Sequence, residues 1–300
     1  MSSKKLKYAL FALIAITTTT IGLCATGNFP LQGTGQWAAT VTRVRAVAEA
    51  VKTFQERYHA LPGDMPNAGK VIPGCTGKDG SDCNPVAATS GDGIIGDPDF
   101  AKTWKSPITA MTTVPATSAA DETTLFWAHL SLTGLIGDMN GSLGIKNGVP
   151  IEQVVGDLPA RLFNFRNNYF IVGFADGRPL PAELSPKSEG LKGIVLVLMS
   201  DEVLHGDAEM NVAGMQALTP RQAAMFDRSM DNGGPDTGYV QAYGAANCFK
   251  TYFPTPNSQG DAFYNEKLNE RACGLIFKIA DSPKDVIPKN PRPSQGQAPR

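Results

Sequence analysis

From Trp37 onward the apolar positions fall into a helical rhythm. Trp37, Val41, Val44, Val47, Val51, Phe54 and Tyr58 recur at steps of three and four, while Arg43, Arg45, Glu49, Lys52 and Glu56 fall off that stripe. Such spacing places one continuous apolar face along a helix. Pro62-Gly63 closes the pattern, because proline cannot continue a helix and glycine permits a sharp exit. The spacing predicts a helix over 36–59.

Residues 64–116 are rich in Gly, Asp, Pro and Thr and read as loop. A second helix follows, with Ser118 and Asp121 in capping-box places, Leu125, Phe126, His129, Leu130 and Thr133 on one face, and Gly134 at its stop. The segments 161–177 and 193–200 carry the β-branched and aromatic content of strands. Thr219-Pro220-Arg221-Gln222 is a second N-cap signal, and its helix runs to Met230 before Asn232-Gly233-Gly234. Short strands are expected near 239–242 and 272–280. The tail 281–300 is proline-rich, without aromatics, and its composition predicts disorder. No internal repeat is present.

Charge changes the picture at the N-terminus. The formal net charge of −1 comes from 27 basic and 28 acidic residues, which argues against a strongly basic nucleic-acid binder. No acidic residue precedes Glu49, and no charged side chain lies between Tyr8 and Thr42. Lys4, Lys5 and Lys7 stand ahead of the apolar run YALFALIAITTTTIGLCA (8–25), which is long enough to cross a bilayer as a helix. Three readings of this run remain open. It is a signal peptide cleaved near Ala25-Thr26-Gly27, a lipoprotein signal using Cys24 despite the large Leu23, or an uncleaved anchor. Each exports the remainder.

Beyond Cys24 there are four cysteines, an even number that favours disulfides in an exported domain. Three connectivities are possible. Cys75 with Cys83 and Cys248 with Cys273 is the favoured one, the first closing a Gly/Asp-rich loop and the second stapling the C-terminal loop. Neither pair has zinc-ligand spacing.

Candidate chemistry is sparse. The three histidines, His59, His129 and His205, show no HxxxH spacing, and no nucleophile–base–acid triad is assembled by proximity. His129 reads as a packed helix residue rather than a base. Two acidic, glycine-rich stretches invite weighing as calcium sites: Asp92, Asp97 and Asp99, and Asp227, Asp231 and Asp236. Neither matches an EF-hand loop, and Asp-Gly pairs are ordinary turn residues. The sequence therefore predicts no cofactor, with calcium at Asp227, Asp231 and Asp236 as the minority reading. LPGD (61–64) reads as a helix terminator with an Asx turn.

Four segments carry a family resemblance. FQERYHALPGDMPNA (54–68) resembles the close of the first helix in bacterial type IV pilin-like proteins and pseudopilins, and LFWAHLSLTGLI (125–136) is similar to their second helix. FDRSMDNGGPDTGYVQA (226–242) resembles their helix–turn–strand, and Cys248 with YNEKLNERACGLIFKIA (264–280) their C-terminal ending. The segments occur in the family's order along the chain. The family's processing junction, a Gly-Phe step with a Glu five residues into the mature helix, is missing here. Its absence speaks against prepilin-type cleavage and N-methylation.

The resemblance implies an α+β fold, a long N-terminal helix packed on an antiparallel sheet as a pilin-like head, with large loop insertions near 69–117 and 138–215. The domain expectation is a membrane anchor or signal segment at 1–27, the head at 28–280 and the tail at 281–300. The implied function is non-enzymatic, that of a pilin-like or pseudopilin subunit of a type IV pilus or type II secretion-type assembly. Trp37, Val41, Val44, Val47, Val51 and Phe54 would pack the assembly helix. The expected partners are other pilin-like subunits or the secretion or pilus machinery, and the inner membrane, with no nucleic acid. The expected location is the bacterial inner membrane, single-pass with a periplasmic head, with assembly into a filament or secretion as further possibilities. The alternative is a secreted or periplasmic binding module that keeps such a head after signal-peptide cleavage.

Overall fold

The structure is a computed structural model, and it describes residues 31–75, 83–85, 90–96, 122–137, 149–150, 168–204, 208–252 and 260–282. The chain divides into two compact units, Met1–Gln36 and Trp37–Arg300. Of the first unit, the described residues are the opening turns of helix α1, Leu31–Tyr58. The second unit carries the remaining elements.

After α1 come α2 (Ala68–Val71), α3 (Glu122–Leu132), strands β1 (Val149–Pro150), β2 (Asn168–Asp176) and β3 (Lys192–Ser200), and α4 (Asp201–Leu204). Helix α5 (Pro220–Met230), β4 (Val240–Gly244), β5 (Phe249–Tyr252), β6 (Asp261–Tyr264) and β7 (Cys273–Ala280) complete the order. A five-stranded sheet runs β1-β2-β3-β7-β4, and β5 and β6 form a separate two-stranded ribbon. Every described pairing is antiparallel.

The strands are apolar at consecutive positions because both sheet faces are buried. Phe170, Val172, Ile194, Leu196, Leu198, Leu275 and Phe277 share one core with Val41, Val44, Val47, Val51 and Phe54 of α1, with Leu125, Phe126 and Leu130 of α3, and with Phe226 of α5. Ile171, Val195, Val197, Met199, Tyr243 and Ile276 face the other way. They are covered by Leu180, Leu184 and Leu191 from the β2–β3 connection, and by Val203 and Met210 beyond β3. Period-two alternation signals a sheet with one wet face, so its absence in 168–176 and 192–200 follows directly from this double covering. Gly193 enters β3 at φ +125, with the carbonyl of Ala280 where a Cβ would stand. The register to β7 shifts at the next step, between Ile194 and Val195, as a bulge does.

Two expectations are corrected. The first is the long N-terminal helix packed on the sheet as a pilin-like head. Among the described residues no long N-terminal helix is evident: α1 runs Leu31–Tyr58. Nor is α1 the sheet's single cover, since α3 and α5 share its face and loops close the opposite one. The architecture is an α+β mix of helices and antiparallel sheets. The second correction concerns the single-pass inner-membrane location. No helix among the described residues is long and apolar enough to cross a membrane. Helix α1 carries Arg43, Arg45, Glu49, Lys52, Glu56 and Arg57, whose burial in hydrocarbon would be costly. The candidate span 8–25, the segment 1–27 and most of the tail 281–300 lie outside the described residues.

Candidate functional site

Three polar nodes hold the described loops, and the first lies where α1 ends. Gly63 adopts φ +90, and a Cβ there would collide with the carbonyl of Glu122 at the start of α3. The turn therefore requires glycine. Its amide donates to Nδ1 of His129 at 2.8 Å. A ring nitrogen that accepts is unprotonated, so Nε2 carries the proton and donates to the carbonyl of Cys83 at 2.9 Å. Phe54 stacks on the imidazole with centroids 5.9 Å apart. His129 is fully buried, and burial pushes its pKa down to about 4. A neutral imidazole with both nitrogens engaged and no solvent contact is a connector between the helix-terminating turn and the loop closed by Cys75 and Cys83. It is not placed to act as a base. His59 is exposed, and His205 lies outside the described residues.

Asp64 follows Gly63 and is 3% exposed. One carboxylate oxygen accepts from the amides of Gly91 and Asp92, and the other from the amide of Gly93 at 2.7 Å. Burial pushes this carboxyl up to about 6, against those amides, which pull it down. The hydroxyl of Ser282 donates to the Gly93 carbonyl at 2.6 Å, tying the chain after β7 to the same loop. The Asx turn expected at Asp64 is not formed, since residue 66 is a proline with no amide to donate and the carboxylate turns to 91–93 instead. This long-range nest was not legible in the sequence, because nothing in the spacing couples 64 to 91–93. Asp92 itself accepts from the amide of Ile94, and Asp97 and Asp99 lie outside the described residues.

The third node is the turn after α5. Asp227 accepts from the amide of Gly233 at 2.8 Å and from the Tyr264 hydroxyl at 2.8 Å, and both side chains are buried. Burial pushes Asp227 up to about 6, opposed by these two donors, and burial beside Asp227 pushes the Tyr264 phenol well up. Asp231 accepts from the amides of Tyr239 and Val240, and so pins the start of β4. Asp236 accepts the amide of Glu189 on its backbone carbonyl at 2.9 Å. The structure thus brings Asp227, Asp231 and Asp236 into one turn, with two of the three carboxylates turned onto backbone amides. Among the described residues, no group of three or more His, Cys, Asp or Glu is arranged to hold a metal ion. Outside the node, Arg228 pairs with Glu266 at the surface.

The structure joins Cys75 to Cys83 and Cys248 to Cys273, with Cα separations of 5.3 and 5.4 Å. The second bridge fixes the start of β5 to the start of β7 and makes a closed loop of everything between, the β5–β6 ribbon included. Of the residues expected to pack an assembly helix, Val41, Val44, Val47, Val51 and Phe54 are each at most 6% exposed and belong to the chain's own core. The Trp37 side chain lies outside the described residues. The stripe is consumed inside the molecule, so the free surface of α1 is its polar side, including Arg45, Glu49, Lys52 and Glu56.

Chemically, these nodes hold loops together; they do not present a nucleophile, an activated base or an anion hole to solvent. Sequence reasoning missed Tyr264 and Glu122. Glu122 is buried at the head of α3 and accepts the Gly96 amide at 2.8 Å, closing the loop from the other side. An acidic residue in a first helical turn was the available signal for it. Searches against protein families, curated proteins and solved structures found no match for this chain.

Proposed function

We propose that this protein is a non-enzymatic structural subunit of the pilin-like or pseudopilin kind, which works by contact with other subunits or with a secretion- or pilus-type machinery. One observation carries the reading: the four segments that resemble that group interlock in pairs. The segment 54–68 meets 125–136 at the Gly63–His129 hydrogen bond. The segment 226–242 meets 264–280 at the Asp227–Tyr264 hydrogen bond. The polar residues that make these segments recognisable are therefore spent on the frame, as expected of a protein whose product is a shape. The two disulfides suit an exported domain in an oxidising compartment.

The test is made in the organism that encodes the chain. The gene is deleted, and surface filaments and the set of exported proteins are compared before and after complementation. Loss of a filament or of an exported set, restored by the intact gene, is the expected result. Unchanged filaments and export, with the protein recovered only as a free monomer outside the cell, would overturn the subunit reading in favour of a secreted binding module.

A further inference from the structure

The β5–β6 ribbon shows one face to the core and one to solvent. Phe249, Ala262 and Tyr264 are buried on the inner side, where Thr251, paired with Ala262, is the one exposed residue. The register pairs Lys250 with Phe263 and Tyr252 with Asp261, so these four share the outer side, since residues two apart on a strand point the same way. All four are exposed, Tyr252 by 61% and Phe263 by 48%. Among the described residues neither Lys250 nor Asp261 makes an ion pair. The outer face is thus a small rectangle with two rings on one diagonal and two opposite charges on the other.

We infer that this face is a homotypic contact, in which the β5–β6 ribbons of two copies of the chain stack face to face about a two-fold axis along the Tyr252–Phe263 diagonal. The argument is one of symmetry and charge. Two identical faces laid on each other about an in-plane two-fold axis have four simple choices of axis. An axis parallel or perpendicular to the strands sets each charge over a ring. The axis along the Lys250–Asp261 diagonal sets lysine on lysine and aspartate on aspartate, which is repulsive. The remaining diagonal sets Lys250 of each copy on Asp261 of the other, twice, and stacks Tyr252 on Tyr252 and Phe263 on Phe263. Opposed residues in a ribbon are about 5 Å apart and next-nearest neighbours along a strand about 7 Å, so the paired charges miss perfect overlap by a distance a lysine stem easily spans. A self-complementary patch of this kind is what a closed dimer needs.

The ribbon is also held rigidly from behind. Cys248 before β5 is bonded to Cys273, the Asn265 side chain donates to the Asn247 carbonyl at 3.1 Å, and the Tyr264 hydroxyl is fixed on Asp227. Little ordering cost remains to be met on docking. The face is far smaller than the roughly 1,600 Å² of a standard interface, so the contact is weak as an isolated pair. This contact uses none of the surfaces invoked in the subunit reading above, and it stands or falls separately from it.

Sedimentation equilibrium on the full chain, kept dispersed by a mild detergent because of the apolar run 8–25, tests the inference at protein concentrations up to about 100 µM. The parent is expected to dimerise reversibly. Lys250→Glu and Asp261→Lys, each made alone, face like charges across the axis and are expected to weaken dimerisation about tenfold or more. Two outcomes then identify the axis. The double variant Lys250→Glu/Asp261→Lys regains the parent's dimerisation, which also shows that both substitutions are tolerated by the fold. Mixing the two single variants yields heterodimers, because each supplies the charge the other now lacks. A parent that stays monomeric, single variants that dimerise like the parent, or a mixture that fails to associate would each overturn the proposal.

Discussion

His129 shows how much one uncharged side chain holds in this molecule. Its two nitrogens join the amide of Gly63 to the carbonyl of Cys83, which are 20 positions apart in sequence and both far from the histidine itself. Replacing it by alanine leaves a buried amide and a buried carbonyl without partners and removes the ring stacked on Phe54. An unsatisfied buried group costs about 1–3 kcal/mol, so His129→Ala is expected to destabilise the protein by about 3 kcal/mol or more. His129→Gln offers one acceptor and one donor and is expected to lose about half as much. Urea midpoints of the two variants decide this. An alanine variant as stable as the parent would mean that the node carries no load.

At the scale of elements, some signals in the chain were complete and others stopped short. The capping box at Thr219 is one of the complete ones. The structure shows Thr219 accepting the Gln222 amide while the Gln222 side chain accepts the Thr219 amide, and α5 begins at Pro220. Thr219→Ala is expected to cost about 1 kcal/mol, as lost N-caps do, measured by thermal or denaturant unfolding. Gly63→Ala is expected to cost more than about 2 kcal/mol, since it combines a positive φ with a collision against the Glu122 carbonyl. If the order of these two losses were reversed, the LPGD turn would not be the rigid stop described here. By contrast, the long N-terminal helix that the family resemblance implies is not evident among the described residues, where α1 runs Leu31–Tyr58. The segments that carry the resemblance begin at Phe54, so none of them encodes what stands ahead of α1. Likewise the continuous apolar run of β3 signals a strand, but not that Leu180, Leu184, Leu191, Val203 and Met210 supply its second cover. Such pairings depend on contacts distant in sequence, which no local spacing encodes. The nest around Asp64 was illegible for the same reason.

For the molecule as a whole, stability has a pH dependence built from opposed parts. Burial lowers His129 to about 4 from an ordinary 6.5, so the unfolded chain binds the extra proton first as pH falls. Its contribution is present above pH 6.5 and is lost as pH falls through 4, worth roughly 3 kcal/mol at 1.4 kcal/mol per tenfold change in proton affinity. Asp227 and Asp64 run the other way. Burial raises both to about 6 from 3.8, so each contributes stability that is fully present below 3.8 and is lost as pH rises through 6. On acidification the histidine therefore weakens the fold over the same range in which the two aspartates strengthen it. Single substitutions unmask the parts. His129→Gln removes the term that penalises acid, so its stability relative to the parent is expected to rise as pH is lowered from about 7 to about 4. Asp227→Asn removes a term that rewards acid, so its stability relative to the parent is expected to fall over the same interval. Urea midpoints at three pH values across that range give both differences directly. Two variants whose midpoints track the parent in parallel would show that neither group changes its proton affinity on folding. Differences of the opposite signs would mean that the amides around Asp227, rather than its burial, dominate its titration.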